Sequence, residues 1–340
     1  MIDLEELIKR PEYKWLDDYK DRICFLTLGG SFAYGTNVEG SDIDLRGVIL
    51  PTKEELIGLN HFEQKLDSDT DSCLYEVNKF IHLAQQTNPN VVELLGCRDY
   101  LVFNDIGFQL INKSKLFLNQ RCIKTFKGYA TAQLRRIEAA LCHDSYSEEE
   151  QLKHIKDTMD IAMLKLEEKN EIFGENRVSS KIEDGQLKLT FNIDNKPINV
   201  IRSAMNDILT IEHTYDKLNA RNTKKDEQHL NKHVMHLVRL FLTCIDILEK
   251  EEIITYREKD RDFLLEIRNG KYIKDGKLIP EFKDLLNDLE ARLEKAKQNT
   301  NLPEKSNFNQ LNKLVMDINE SIIKGTVKQF KEPLKQLQIF

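Results

Sequence analysis

An apolar run, Ile23 to Leu28, stops at Gly29-Gly30-Ser31, and about a dozen residues later Asp42-Ile43-Asp44 opens a second apolar run that ends at Leu50. This passage constrains the chain more than any other. The first run ends in residues with almost no side chain, a turn whose backbone N–H groups can approach a phosphate closely, with the Ser31 hydroxyl as a further donor. The spacing predicts strands over Ile23–Leu28 and Ile43–Leu50. In a strand, alternate side chains share a face, so Asp42 and Asp44 would lie together while Ile43 turns to the core. Two carboxylates that close repel each other unless a cation sits between them. Metal-assisted phosphoryl or nucleotidyl transfer needs this donor set, because hard cations take oxygen ligands.

The bulk properties narrow the setting. The chain has 340 residues, with 40% hydrophobic and 31% charged side chains and a net charge of −7. That is enough for one large domain or two. It argues against non-specific nucleic-acid binding through a generally basic surface, while leaving room for a local basic cleft. The six cysteines (Cys24, Cys73, Cys97, Cys122, Cys142 and Cys244) are scattered, mostly within apolar runs, and form no CxxC pair. With no secretory leader and no apolar stretch of transmembrane length, they read as reduced core residues of a cytoplasmic protein. Neither a disulfide partner nor a membrane is expected.

Along the chain the pattern predicts a helix over residues 3–20, short strands at Phe62–Leu66 and Ser72–Tyr75, and a helix from Glu76 to Gln86. Asn88 suits a helix cap and Pro89 a first turn, so Asn90–Gly96 should be helical. Beyond about residue 120 the periodicity is mainly helical: Tyr129–Cys142, Leu152–Leu166, Asn199–Asn219, Leu230–Leu248 and Pro280–Lys297. A hairpin interrupts it between Asn176 and Asn195. The expected architecture is α/β (α+β). An N-terminal domain with a mixed sheet and flanking helices, residues 1–124, precedes a mainly helical C-terminal domain with the small hairpin, residues 125–340. The aromatic residues Phe103, Phe108, Phe117 and Tyr129 are expected in the core.

The joint pattern of strand, Gly-Gly-Ser turn, Asp-x-Asp and strand resembles the nucleotidyltransferase superfamily of DNA polymerase β and kanamycin nucleotidyltransferase. The resemblance is closer to one bacterial and phage branch, the YcgL type that includes the RNA-repair-pathway (RlaP) proteins. It rests on Gly30-Ser31 with Ala33-Tyr34-Gly35, on Ser41 to Val48, on Asn88-Pro89-Asn90-Val91-Val92-Glu93-Leu94-Leu95, and on Lys232 to Leu240. Ile267-Arg268-Asn269-Gly270-Lys271 and Leu302-Pro303-Glu304 also fit. The resemblance implies an NTP substrate and two Mg²⁺ ions, which Mn²⁺ can replace. Asp42 and Asp44 would hold both metals, with Gly30 and Ser31 on the β,γ-phosphates. It also implies a third carboxylate. Asp67, Asp69, Asp71 and Glu76 compete for that role, with Asp71 preferred and Glu76, a helix-start acid, the alternative.

Arg46 follows the acidic pair and would share its face, either reaching a phosphate or neutralising the aspartates. Lys79 is a further phosphate candidate, against the reading of an ordinary exposed helix lysine. On the Leu230–Leu248 helix, Leu230, Val234, Leu237 and Phe241 form an apolar stripe. His229, Lys232, His236 and Arg239 lie on nearly the opposite face, a line of cations suited to an anionic substrate or to solvent. A metal site at His229, His233 and His236 fits in spacing, though these residues do not share one narrow face. Arg135 and Arg136, with Gln133, offer another basic stretch. The acceptor hydroxyl implied by the branch is that of an RNA, a tRNA or a broken RNA end. A protein or small-molecule hydroxyl, or a non-catalytic nucleotide-binding role, stands as the alternative.

Overall fold

The computed structural model describes residues 3–145, 156, 178–183, 186–191, 227–275 and 277–335. The predicted helices Leu152–Leu166 and Asn199–Asn219 lie outside the described residues. In chain order the strands are β1 (Ile23–Leu28), β2 (Leu45–Ile49), β3 (Gln64–Asp67), β4 (Ser72–Glu76), β5 (Tyr100–Asn104), β6 (Val178–Glu183), β7 (Gln186–Phe191), β8 (Ile273–Lys274), β9 (Lys277–Leu278) and β10 (Gln329–Lys335). The helices are α1 (Leu4–Ile8), α2 (Gly30–Tyr34), α3 (Lys53–Ile57), α4 (Val77–Gln85), α5 (Pro89–Val92), α6 (Asp105–Asn112), α7 (Arg121–Ser145), α8 (Glu227–Lys250), α9 (Arg261–Arg268), α10 (Pro280–Asn299) and α11 (Phe308–Lys324).

The chain forms two compact units, Met1–Gln133 with Val234–Tyr272 and Pro280–Phe340, and Leu134–His233 with Ile273–Ile279. The first holds a six-stranded mixed sheet in the order β10-β5-β1-β2-β4-β3. β2 and β4 run parallel, and the other neighbours are antiparallel. Both faces of the sheet are covered, which is why β1 reads as a near-continuous apolar run, broken only by buried Thr27, rather than an alternating one. Phe25, Val48 and Val102 point to one side, against α4, α5, α6 and α11. Leu26, Leu45, Ile49, Leu74 and Leu101 point to the other, under Leu4, Leu7, Tyr13 and Leu16. The second unit contains the antiparallel β6–β7 hairpin where alternation placed it, together with the short β8–β9 pair.

Several elements differ from the sequence expectation. The helix over 3–20 is instead α1 followed by 3₁₀ turns at Pro11–Asp18 and Lys20–Arg22. Proline disfavours the helical conformation of the residue before it, and Arg10 accordingly is extended (ψ 134°). β2 begins at Leu45, so Asp42 and Asp44 lie in the segment leading into the strand rather than within it. Phe117 is core and Phe103 packs at its margin, but Phe108 and Tyr129 are exposed, being carried on outward faces of α6 and α7. Asn88 does cap α5 through its side chain, with Pro89 as the first residue. The cysteines Cys24, Cys73, Cys97, Cys122 and Cys244 are buried and free. Among the described residues, no helix is long and apolar enough to cross a membrane.

Candidate active site

Sheet register gathers the acidic residues at one end. β1 and β2 pair Leu28 with Leu45, and the ladder continues as Gly29 N donates to Asp44 O at 2.7 Å. On the other side of β2, Arg46 pairs with Cys73, so two residues back Asp44 stands level with Asp71. The Gly29–Ser31 turn, Asp44 and Asp71 thus occupy the same edge of three adjacent strands.

Gly30 has φ +53°, a backbone conformation natural for glycine, and a Cβ there would collide with the Asp44 carboxylate. The second glycine is therefore what lets Asp44 lie directly against the turn. Gly29 serves a similar purpose, since a Cβ would be 2.8 Å from Arg46 Cγ. Ser31 is buried at the start of α2. The Asp42–Asp44 segment is anchored from the N-terminal region, a contact without any signal in the sequence: the Tyr13 hydroxyl donates to Ile43 O at 2.7 Å. Burial, then the Glu12 carboxylate, raise the Tyr13 phenol above its usual pKa, with Asp44 and Asp42 adding to the rise. Asp42 is exposed, and Asp44 half-buried.

The two candidates for a third carboxylate stand at opposite ends of β4. Asp71 precedes it, is 85% exposed, adopts φ +45° and lies 3.4 Å from the Arg46 guanidinium, which also donates to the Asp71 carbonyl. Glu76 ends the strand about 16 Å away at roughly 3.3 Å per residue. It caps α4, accepting from Lys79 N at 2.9 Å. Desolvation raises the Glu76 carboxyl above the ordinary carboxylate range, against the pull of amide donors from Asn78 and Lys79. Lys79 shares that far end and pairs with Glu63 at 2.7 Å, holding the Glu63 carboxyl below its usual range, so the fold does not bring Lys79 to Asp42 and Asp44. Of the two other acids considered, Asp67 ends β3 and accepts from Thr70, while Asp69 is exposed in the β3–β4 turn.

The cation line expected on α8 is not an open wall. From Val234 to Leu248 nearly every side chain is buried, on both faces of the helix. Arg239, only 5% exposed, is ion-paired with buried Glu93 and stacks on Tyr34, its Cζ 3.6 Å from the ring centroid. Its charge is therefore met within the fold, because an unpaired guanidinium in that setting would carry a heavy desolvation cost. His236 is half-buried and meets Tyr34 edge-on at 5.9 Å. The Tyr34 hydroxyl donates to Glu93 at 3.3 Å. This buried cluster fixes α2 from behind. Lys232 belongs to the second unit and is exposed.

Oxygen donors suited to a divalent cation are present in Asp42, Asp44 and Asp71, and the space that Gly30 leaves open receives the Asp44 carboxylate. Among the described residues, no group of three His, Cys, Asp or Glu side chains is drawn together tightly enough to hold a metal ion as it stands. Asp71 is engaged by Arg46 instead. The acids fit a divalent cation in kind, and a metal at Asp71 would have to displace its Arg46 contact. No curated protein and no solved structure matches the chain. Residues 3–159, which contain the turn, the paired aspartates, Asp71 and the Glu93 block, match the family described as RlaP, RNA repair pathway DNA polymerase beta family.

Proposed function

We propose that the protein transfers a nucleoside monophosphate from an NTP to the hydroxyl of an RNA acceptor, with Mg²⁺ as the metal. The observation that carries this reading is the seating of the Asp44 carboxylate against Gly30, an oxygen donor suited to a metal beside a turn whose amides suit a phosphate. Asp42 and Asp44 would hold two divalent ions with Asp71. When bound, they neutralise the triphosphate and lower the pKa of the attacking hydroxyl. The Gly30 amide and the Ser31 hydroxyl would donate to the β- and γ-phosphates. Arg46 offers a fixed cation between the Gly29 turn and Asp71, where it balances the acids and can reach a phosphate oxygen. The acceptor oxygen forms its bond to the α-phosphorus as the bond to pyrophosphate breaks. Residues 1–124 would carry the catalytic groups, with residues 125–340 supplying acceptor contacts.

The test uses the full chain with each labelled NTP, Mg²⁺ or Mn²⁺, and total RNA or total protein from a lysate. Label should enter the RNA fraction. Asp42→Asn and Asp44→Asn, which keep side-chain shape, should lower incorporation at least about a hundredfold, since a metal supplies several kcal/mol and about 1.4 kcal/mol is tenfold in rate. Undiminished incorporation by both variants would falsify the assignment.

A further inference from the structure

The sheet end that carries the Gly29–Ser31 turn also carries an arginine–aromatic cluster for which the chemistry above has no use. α2 ends at Gly35, whose left-handed φ (+73°) turns the chain. The Tyr256 ring lies so close to it that a Cβ at Gly35 would be 2.8 Å from two ring carbons. Arg98, just before β5, places its guanidinium 5.1 Å from the centroid of the same ring. Arg261 Nε donates to Gly35 O at 2.8 Å, and Arg268 Nη1 donates to Thr36 O. Three guanidinium groups and one ring, from stretches far apart in the chain, therefore converge on one turn. Five residues of helix, at 1.5 Å rise, put that turn about 8 Å from Gly30.

Capping the C-terminal carbonyls of α2 accounts for one N–H of Arg261 and one of Arg268. A guanidinium carries five donors. Capping does not account for Arg98 at all, since that side chain is exposed and meets the Tyr256 ring instead. Among the described residues, the one acid at ion-pair distance from these three arginines is Asp262, 3.9 Å from Arg261 and 97% exposed. The neighbouring Arg257 differs in this respect, being buried and paired with Asp246 and Asp260. In a chain of net charge −7, the three arginines form a local concentration of positive charge met by one exposed carboxylate.

One guanidinium against an aromatic ring, with two more beside it, matches a nucleic-acid strand. Guanidinium groups fork onto phosphate oxygens, and exposed guanidinium or ring faces accept a base. The triphosphate of an NTP would be met at Gly30 and Ser31, and a strand laid past the turn some 8 Å away would bring further phosphates to the three arginines. We propose that Arg98, Tyr256, Arg261 and Arg268 form a docking subsite for single-stranded RNA beside the nucleotide site. This assignment rests on the reading of the acceptor as RNA.

The experiment measures fluorescence anisotropy of a short fluorescein-labelled single-stranded RNA with the full chain, in EDTA and without NTP, across a potassium chloride series. Arg98→Gln should weaken binding about threefold or more. Arg98→Gln with Arg268→Gln should weaken it about tenfold or more and reduce the slope of log affinity against log salt by about 1.4, at roughly 0.7 for each phosphate no longer neutralised. NTP affinity of Arg98→Gln should stay within about twofold of the parent. Arg98 holds no backbone group, so this variant should keep the parent's thermal midpoint. Should Arg268→Gln fail to fold, Arg98→Glu replaces it and must weaken binding more than Arg98→Gln. Variants with the parent's affinity and salt slope overturn the proposal, as does a parent chain that binds no RNA. Polyglutamate that displaces the RNA equally well also overturns it, in favour of an acidic protein partner. If the parent transfers no label to RNA while Arg98→Gln still weakens RNA binding, the transfer reading fails and the subsite stands. If transfer occurs and the variants leave the KM for RNA unchanged, the subsite fails alone.

Discussion

Arg46 with Asp71 and Arg239 with Glu93 are the same kind of pair in two settings. The first stands at the open end of the sheet, with Asp71 85% exposed and a separation of 3.4 Å. The second is closed over, with both side chains less than a tenth exposed and Tyr34 stacked on the guanidinium. Exposed pairs contribute little to stability, because water and salt screen them and holding long side chains costs entropy. A buried pair can be near neutral against apolar residues of similar volume, yet it cannot lose one partner without stranding a charge in low dielectric. Burial thus commits Arg239 to holding α2, whereas the open Asp71 carboxylate is free to exchange the Arg46 guanidinium for another partner. Charge type alone does not reveal which arginine can meet a substrate.

The largest effect should come from breaking the buried pair. Arg239→Ala should cost about 3–5 kcal/mol in urea unfolding, whereas Arg239→Met with Glu93→Leu should recover most of it. If Arg239→Ala unfolds at the parent's urea midpoint, the contrast between the two pairs is wrong. Next comes Gly30→Ala. A non-glycine residue in the left-handed region costs about 1–2 kcal/mol, and the displaced Asp44 carboxylate adds to that. Nucleotide incorporation should fall with it, and unchanged incorporation would mean that the close seating of Asp44 is dispensable.

Glu76 probes the far end of β4 through pH. Its carboxyl is raised in the folded state by burial, so its favourable contribution is complete below the ordinary carboxylate range and is lost as pH rises through the raised value. The parent should therefore lose stability relative to Glu76→Gln as pH rises from the ordinary carboxylate range toward neutrality. A constant difference in urea midpoint across that range speaks against a raised carboxyl. The smallest effect on stability belongs to Asp71→Asn, within about 1 kcal/mol, because that carboxylate is 85% exposed. Its effect on nucleotide incorporation should be much larger than that change implies. An equally small effect on both would reduce Asp71 to a surface residue.

Much of the N-terminal fold was legible because local rules act there without help from distant residues. Asn88 and Pro89 start α5 where capping chemistry puts them, and the apolar residues Val77, Phe80, Ile81 and Ala84 mark the buried face of α4. The Gly-Gly-Ser turn and the Asp-x-Asp pair were recognisable together because each explains the other: a Cβ at Gly30 would occupy the place of the Asp44 carboxylate. Other readings needed contacts that no local pattern encodes. The helix over 3–20 was broken by Pro11. Helical spacing gives the α8 cation line the look of a surface, because it separates His229, Lys232, His236 and Arg239 from one apolar stripe. That spacing cannot show that Glu93, 146 residues away, buries and neutralises Arg239. Tyr13 gave no signal, since a tyrosine in a 3₁₀ turn looks ordinary until its hydroxyl is seen on Ile43 O.

A turn and two aspartates, brought near each other by a short connection and antiparallel pairing, were enough for the amino-acid order alone to set the reaction class to expect. Which other charges join them was settled by folding. Parallel pairing of β2 with β4 set Asp71 level with Asp44 and sent Glu76 and Lys79 to the far end, and packing buried Arg239 while bringing Arg98, Arg261 and Arg268 to the end of α2. Chain-local geometry acts over a few residues, whereas the burial and neighbours of a charge depend on segments that meet only when the chain is folded.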